Sequence, residues 1–203
     1  MTKNCGRRIT LIIFYAPGQE KPLLETLREI LHELQKKVSD GAQQLLAAME
    51  KRKADQLDKG QALLAEDKVS EAQKLFNALI REFKDDTELR AEIADKFIKS
   101  GLYNEALEYL EEALKNDPNA IFLYNRIGIV LRKMKDFEAA EKYYLRALKI
   151  NQKDEYLYFN TGRLYYDWKK WSKMAIAAEK ALAINPSFAE AEKMLKFAQK
   201  KIG

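Results

Sequence analysis

The residues with the greatest capacity for chemistry are one cysteine, Cys5, and one histidine, His32. A thiolate–imidazole pair can act as a nucleophile, but its two side chains must lie within hydrogen-bond reach. Cys5 lies in the N-terminal tail, whereas His32 falls on an amphipathic helical stretch. One cysteine and one histidine are also too few for a metal cluster of these ligands. The single cysteine fits a reducing compartment.

Motifs of other catalytic classes are missing from the sequence. It contains no Gly-rich phosphate loop and no GxSxG nucleophile elbow. Paired carboxylates such as Glu111 and Glu112 fall on outer helix faces, where we expect them to be solvated and not catalytic. We therefore expect a non-enzymatic protein with no catalytic residue, no metal and no cofactor.

The elements that position the remaining polar residues repeat along the chain. Residues 121–154 and 155–188 carry one pattern twice, 34 residues apart, so that Gly128 aligns with Gly162 and Phe137 with Trp171. Extending the frame backwards gives two further units, 87–120 and 53–86. A period of this length is typical of helix–turn–helix arrays, whose units bury their apolar faces only by stacking.

Small and large residues occupy fixed positions of this 34-residue frame. Small residues at positions 8, 20 and 27 let the two helices of a unit approach, and large residues at positions 11, 17 and 24 fill the gaps between them. Position 8 holds Gly60, Ala94, Gly128 and Gly162, and position 27 holds Leu79, Ala113, Ala147 and Ala181. Pro118 and Pro186 end the second helix of their units.

This pattern resembles the tetratricopeptide repeat (TPR) family. The resemblance implies an all-α fold: a right-handed superhelical array of helix–turn–helix repeats over residues 53–188, followed by a C-terminal capping helix over 189–203. In the last unit, Ala178 stands where earlier units carry a large residue and Met174 where they carry alanine. We interpret this as a local exchange of volume, which cores tolerate.

Residues 21–52 are predicted to form an N-terminal helical hairpin. Its first helix begins at Pro22, carries a stripe formed by Leu24, Leu27, Leu31, Leu34 and Val38, and ends at Ser39-Asp40-Gly41. The second helix begins near Ala42 and buries Leu45, Leu46 and Met49. Two readings of the stripe stay open: a cap over the exposed edge of the first repeat, and a seam for dimerisation.

Residues 1–20 read as an arm with a strand-like segment at Ile9–Ala16. With Lys21-Pro22, residues 9–31 faintly resemble the end of a bacterial receiver domain, whose phosphate-accepting aspartate is absent, so no receiver activity is carried over. Arg7 and Arg8 before this apolar run imitate a secretory signal. The run is at the low limit of length and lacks a convincing cleavage site, so we expect a bacterial cytoplasmic protein.

Charge is distributed unevenly along the chain. Residues 53–120 carry 10 Lys and Arg against 16 Asp and Glu, whereas residues 121–203 carry 17 against 9. Such a split can steer an anionic partner to the basic half or align molecules head to tail; solvated helix faces are the alternative. Nucleic acid is not expected, because acidic residues interrupt the basic half and no recognised motif is present. No stretch is long and apolar enough to span a membrane.

In TPR arrays the first helix of each unit lines the concave face. Carrying those positions over implies a groove that is acidic near Glu88, Glu92 and Asp95 and aromatic and basic further along. The implied binding residues are Phe122, Asn125, Arg126, Ile129, Tyr156, Phe159, Asn160 and Arg163. The amides can bond both groups of a peptide unit, the guanidinium forks suit carboxylates, and the aromatic residues supply anchor area. Packing between neighbouring units is an equal alternative for the aromatic residues.

Some TPR domains hold the C-terminal carboxylate of chaperones with a clamp of Lys, Asn, Asn, Lys and Arg. This chain has Ala91 and Asp95 at two of those places, so that ligand is not implied. The function we expect is an interaction scaffold that binds a protein or peptide segment, with an acidic segment favoured. The alternative is self-assembly into a homo-oligomer, through the two oppositely charged halves or through the leucine stripe.

Overall fold

The computed structural model describes residues 20–84 and 86–203, which form nine helices and no strand. The helices are α1 (Glu20–Ala65), α2 (Val69–Glu82), α3 (Thr87–Lys99), α4 (Tyr103–Asn116), α5 (Ile121–Lys133), α6 (Phe137–Ile150), α7 (Glu155–Asp167), α8 (Trp171–Ile184) and α9 (Ala189–Ile202). The all-α prediction is therefore confirmed. No helix in these residues is long and apolar enough to cross a membrane.

The chain divides into two compact units, Met1–Arg52 and Lys53–Gly203. In the second unit, the first helices α3, α5 and α7 begin at Thr87, Ile121 and Glu155, which are 34 residues apart. The second helices α2, α4, α6 and α8 keep the same spacing. Each first helix packs against the second helix that follows it, and α9 packs against α8.

The same left-handed turn joins the two helices of every repeat. The turn residue has a φ of 60° at Asp67, 76° at Gly101, 65° at Lys135 and 58° at Lys169. At each site the N–H of the following residue bonds back five residues, as from Asp136 N to Leu131 O at 2.9 Å. This is the bond of a Schellman motif, which satisfies carbonyls that the helix end leaves open. Only one of the four positions uses glycine, so the repeated hydrogen bonding holds the turn in the other three.

Small residues bring the helices of each unit together, as the frame predicts. A Cβ atom on Gly60 would lie 2.2 Å from the Phe76 ring, and one on Gly128 would lie 2.7 Å from the Tyr144 ring. Both rings are fully buried. In the last unit the atom that closes over Gly162 is the Met194 sulfur, at 2.3 Å from such a Cβ. The side chain that fills this gap therefore comes from α9. The small residue Ala178 at position 24 does not by itself indicate this.

The predicted N-terminal hairpin is wrong, because α1 runs unbroken from Glu20 to Ala65. Leu45, Leu46 and Met49, expected to be buried, are exposed. Ser39, Asp40 and Gly41 are poor helix formers, but without a proline they cost only about 1 kcal/mol each at most, which a long helix absorbs. His32 lies on the exposed surface of α1. Cys5, the strand-like segment and the first half of the receiver-like stretch lie outside the described residues.

Candidate binding face between the first helices

The predicted binding residues lie on two neighbouring first helices. α5 carries Phe122, Asn125, Arg126 and Ile129, and α7 carries Tyr156, Phe159, Asn160 and Arg163. The first helices contact one another, α3 with α5 and α5 with α7. We call the side of α3, α5 and α7 on which these residues lie the inner face.

Two amides bridge α5 and α7 at the middle of the inner face. Asn160 Nδ2 donates a hydrogen bond to Asn125 Oδ1 at 3.0 Å, and both residues are half-buried. An asparagine amide has two N–H donors and two acceptor positions on its oxygen. The bridge therefore leaves the Asn125 N–H₂ group and the Asn160 oxygen able to bond one peptide unit of a ligand.

The two arginines of the predicted set differ in what they contact. Arg126 donates from Nε to both carboxylate oxygens of Asp95 at 3.3 Å, and from Nη2 to Oδ2 at 3.1 Å. Its guanidinium also lies 5.4 Å from the centre of the Phe122 ring. Arg163 is exposed and makes no hydrogen bond or ion pair with the described residues. Of these two arginines, Arg163 is therefore the one whose guanidinium remains available to a ligand.

A shallow cavity of about 300 Å³ lies between α3 and α5, next to the Arg126–Asp95 pair. It is lined by Glu88, Ala91, Glu92, Phe122 and Arg126. Because Arg126 is already neutralised by Asp95, the two glutamates give this end of the inner face a negative charge. Glu88 and Glu92, which the sequence assigns to the acidic end of the groove, thus line one cavity.

The aromatic residues pack partly within the array. The ring centres of Tyr156 and Phe159 lie 5.2 Å and 5.0 Å from that of Phe188, which is buried at the start of α9. Phe159 is half-buried, whereas Tyr156 is mostly exposed. Phe122 and Ile129 are half-buried against the core of the preceding repeats. Packing between units thus accounts for Phe159, and Tyr156 keeps a free ring face.

A partly buried ion pair, which the repeat pattern did not predict, joins α5 and α7. Arg132 is 7% exposed, and its Nη1 donates to Asp167 Oδ2 on the next first helix. Its Nε atom has no hydrogen-bond partner. Nearby, burial raises the pKa of Tyr144 to about 12. The signal was available, since residues 132 and 167 have opposite charges and fall on neighbouring groove positions of adjacent repeats.

No group of three or more His, Cys, Asp or Glu side chains in the described residues is arranged to hold a metal ion. The predicted residues of the inner face instead offer hydrogen-bonding amides, the unpaired Arg163 and the exposed Tyr156. These groups can bind a polar chain, but they do not form a nucleophile with its base.

Family models agree with the repeat frame. Two models described as tetratricopeptide repeat match residues 63–123 and 121–154. The chain contains tetratricopeptide repeats. A TPR repeat-containing protein of Methanocaldococcus jannaschii is 34% identical over 64 residues, which are 32% of this chain and 11% of that protein. This chain therefore corresponds to a small part of that relative.

Solved structures share the TPR fold at low sequence identity. A crystal structure of MamA protein superposes with a TM-score of 0.59 at 20% identity, over 74% of this chain and 82% of that one. The first TPR domain of Spaghetti (RPAP3), bound to HSP90 peptide SRMEEVD, superposes with a TM-score of 0.55 at 21% identity, over 58% of this chain and 94% of that one.

Proposed function

We propose that this TPR protein is a non-enzymatic interaction scaffold that binds a peptide segment of a partner protein along the inner face of α5 and α7. The observation that carries the proposal is the Asn125–Asn160 bridge, which ties two repeats together and leaves a donor and an acceptor beside each other. A TPR domain of similar fold has been solved with a bound peptide, which supports a ligand of this class. The single cysteine supports a cytoplasmic location.

The charges of the inner face favour one orientation of the peptide. Arg163 is placed to receive a carboxylate next to the amide bridge. Glu88 and Glu92 line the other end and favour a cationic residue there. Tyr156 offers an exposed ring beside Phe188 as an apolar anchor. The expected ligand is therefore an extended segment with an acidic end at α7 and a basic end at α3.

The test begins with peptides selected by phage display against the whole chain. Their dissociation constants are then measured by isothermal titration calorimetry for the wild type, an Asn125→Ala/Asn160→Ala variant and an Arg163→Glu variant. Losing the charged contact of Arg163 costs about 1.5–3 kcal/mol, and losing two neutral amide hydrogen bonds costs about 1–3 kcal/mol together, so each variant should bind about tenfold more weakly. Lys142→Ala, on the exposed surface of α6, is the matched control. Unchanged affinity in the amide variant would show that the peptide binds elsewhere.

We propose a second candidate function, self-association through α1. Leu31, Leu34 and Val38 are 58%, 55% and 72% exposed. With Leu27 and Leu45 they follow the alternating three- and four-residue spacing of a coiled-coil seam. The partner of this stripe is a second copy of α1, because its apolar residues have the same spacing.

Gly41 makes the seam testable, because it occupies a position of the same stripe. A Cβ atom added there has nothing within 4 Å. Gly41→Leu should therefore tighten the dimer, whereas Leu34→Glu should yield a monomer, as measured by sedimentation equilibrium at several protein concentrations. Both variants should keep the far-ultraviolet circular dichroism of the repeats. Dissociation of the wild-type assembly on raising salt would instead assign it to the oppositely charged halves.

A further inference from the structure

We propose that a groove between the second helices α6 and α8 binds an aromatic side chain of a partner protein that carries carboxylates beside that ring. We call it the outer groove and define it by Leu145, Leu148, Tyr158, Thr161, Ile176 and Ala177. It lies on other residues than the peptide-binding face proposed above, so each proposal can fail without the other.

The outer groove arises where a repeated contact is missing. In the second and third repeats, position 23 is a tyrosine whose hydroxyl donates to position 25 of the preceding second helix. Tyr109 donates to Asn77 Oδ1 at 3.0 Å, and Tyr143 donates to Glu111 Oε1 at 3.4 Å. In the last repeat position 23 is Ala177, and the preceding position 25 is Leu145. The tyrosine ring and its hydrogen-bond acceptor are thus both replaced. An apolar and unfilled gap remains between α6 and α8.

The vacancy has the size of one aromatic ring. Its volume is about 220 Å³. A cavity of about 150 Å³ lined by aliphatic and aromatic side chains holds a benzene molecule, whereas sites for drug-sized ligands begin at about 300 Å³. One phenyl or phenol side chain therefore fits in the groove.

Two hydroxyl groups in the wall of the outer groove already have hydrogen-bond acceptors. The Thr161 hydroxyl donates to the Leu157 carbonyl oxygen at 2.7 Å, and the Tyr165 hydroxyl donates to Glu141 Oε1 at 2.7 Å. Burying an apolar ring against these two hydroxyls leaves neither of them without a partner, so their desolvation does not oppose binding. A bound ring would also cover apolar surface at the rim, since Leu145 and Ile176 are 46% and 53% exposed in the free chain.

Charge at the rim selects a carboxylate beside the ring. Position 26 changes along the second helices from Glu112 through Arg146 to Lys180. Lys180 is exposed and makes no ion pair with the described residues. Lys173, the other cation of the rim, lies 2.7 Å from Glu141, so these two charges compensate each other. The net charge at the rim is positive, and an anionic group of the partner lies within reach of Lys180.

The test uses the whole chain and two small probes, 3-phenylpropionate and 3-phenylpropylamine, which share the ring and differ in charge. Binding is measured from the shifts of backbone amide signals in the nuclear magnetic resonance spectrum. We expect saturable binding of 3-phenylpropionate that shifts the amides around Leu145, Thr161 and Ala177. The Lys180→Glu variant should weaken binding about tenfold, the effect of a lost charged contact.

Ala177→Phe supplies the decisive variant, because it fills the groove with a ring at the position where earlier repeats carry one. It should abolish probe binding and keep or raise the thermal midpoint, so lost binding cannot be attributed to unfolding. Lys142→Ala, in the neighbouring groove, should bind the probe normally. Absence of saturable binding, equal binding of 3-phenylpropylamine, or binding that survives Ala177→Phe would each overturn the proposal. If Ala177→Phe instead converts a sedimenting dimer to monomer, the occupant is a second copy and the partner assignment is wrong.

Discussion

Three glycines of this chain differ in what surrounds them. Gly128 lies under the fully buried ring of Tyr144, Gly162 lies under the flexible end of Met194, and Gly41 faces open space on α1. All three have ordinary helical conformations, since the glycine with a positive φ in the described residues is Gly101. The effect of adding a methyl group at each is therefore decided by the neighbour and not by the backbone.

Gly128→Ala should destabilise the protein by about 1–3 kcal/mol, because an overpacked core must move a rigid ring. This outweighs the gain of up to about 1 kcal/mol from replacing a helical glycine by alanine. Gly41→Ala should show that gain alone, in the helicity of α1, and Gly162→Ala should cost less than Gly128→Ala because Met194 can adopt another rotamer. Urea denaturation followed by circular dichroism measures all three. Equal losses for Gly128→Ala and Gly162→Ala would contradict the role given to the ring.

At this scale the sequence predicts which residues share a face but not which of them are already paired. Asn125, Arg126, Asn160 and Arg163 follow from the repeat register. The engagement of Arg126 by Asp95 depends on the distance between two first helices, which no single repeat encodes. The vacancy at Ala177 is visible only by comparing equivalent positions of three repeats.

The helices begin and end in ways that single residues control. Side chains of Asp86, Asp136 and Asp154 accept backbone N–H bonds at the starts of α3, α6 and α7. Asp86 also accepts a hydrogen bond from Lys53 Nζ at 3.0 Å. Asp86 therefore links the start of α3 to α1, at a residue of α1 that belongs to the unit Lys53–Gly203.

The charge of Asp86 should stabilise the fold in a pH-dependent way. Burial alone would raise its pKa, but the bonds from Lys53 and the Leu89 N–H outweigh burial and hold the pKa below its ordinary value. A carboxyl whose folded-state pKa is depressed contributes stability above its unfolded pKa of about 3.9 and loses it as the pH falls through the folded-state value. Asp86→Asn, which can still cap, should therefore cost about 1 kcal/mol at pH 7, and this cost should shrink as the pH falls below the unfolded pKa of about 3.9.

The measurement is the free energy of unfolding of wild type and Asp86→Asn between pH 7 and pH 3. Asp136→Asn is the matched control, because Asp136 caps α6 through the Ala139 N–H without an ion pair. We expect it to lose less at pH 7 than Asp86→Asn. A difference between wild type and Asp86→Asn that does not shrink between pH 7 and pH 3 would rule out the charge as its source.

Element boundaries were predictable where the repeat fixes them and failed where it does not. The helix starts at Thr87, Ile121 and Glu155 follow from the 34-residue period, because each unit repeats one set of contacts. In α1 the turn-like residues Ser39–Gly41 lie on the exposed surface, so burial among the described residues does not reward a reversal of the chain there. Helical hydrogen bonding therefore continues through them.

Within the unit Lys53–Gly203, the described contacts of each repeat are with the repeats or the helix next to it. The last unit depends on α9, since Met194 fills the space over Gly162 and packs with Ala177 and Ala178. In an array with nearest-neighbour contacts, loss of stability at one end opens that end before the rest. The end of the array that carries the outer groove is therefore sensitive to the packing of α9.

Met194→Ala should destabilise the C-terminal end selectively. Deleting a buried methionine side chain costs about 2–5 kcal/mol, and Met194 is 8% exposed, so the loss should fall within this range. Hydrogen exchange read by mass spectrometry should show faster exchange in α7, α8 and α9, while α3 and α4 keep their protection. Met134→Ala is the control, since Met134 is 38% exposed and should leave exchange unchanged. Equal acceleration in all helices would mean that the repeats unfold as one cooperative body and that α9 has no local role.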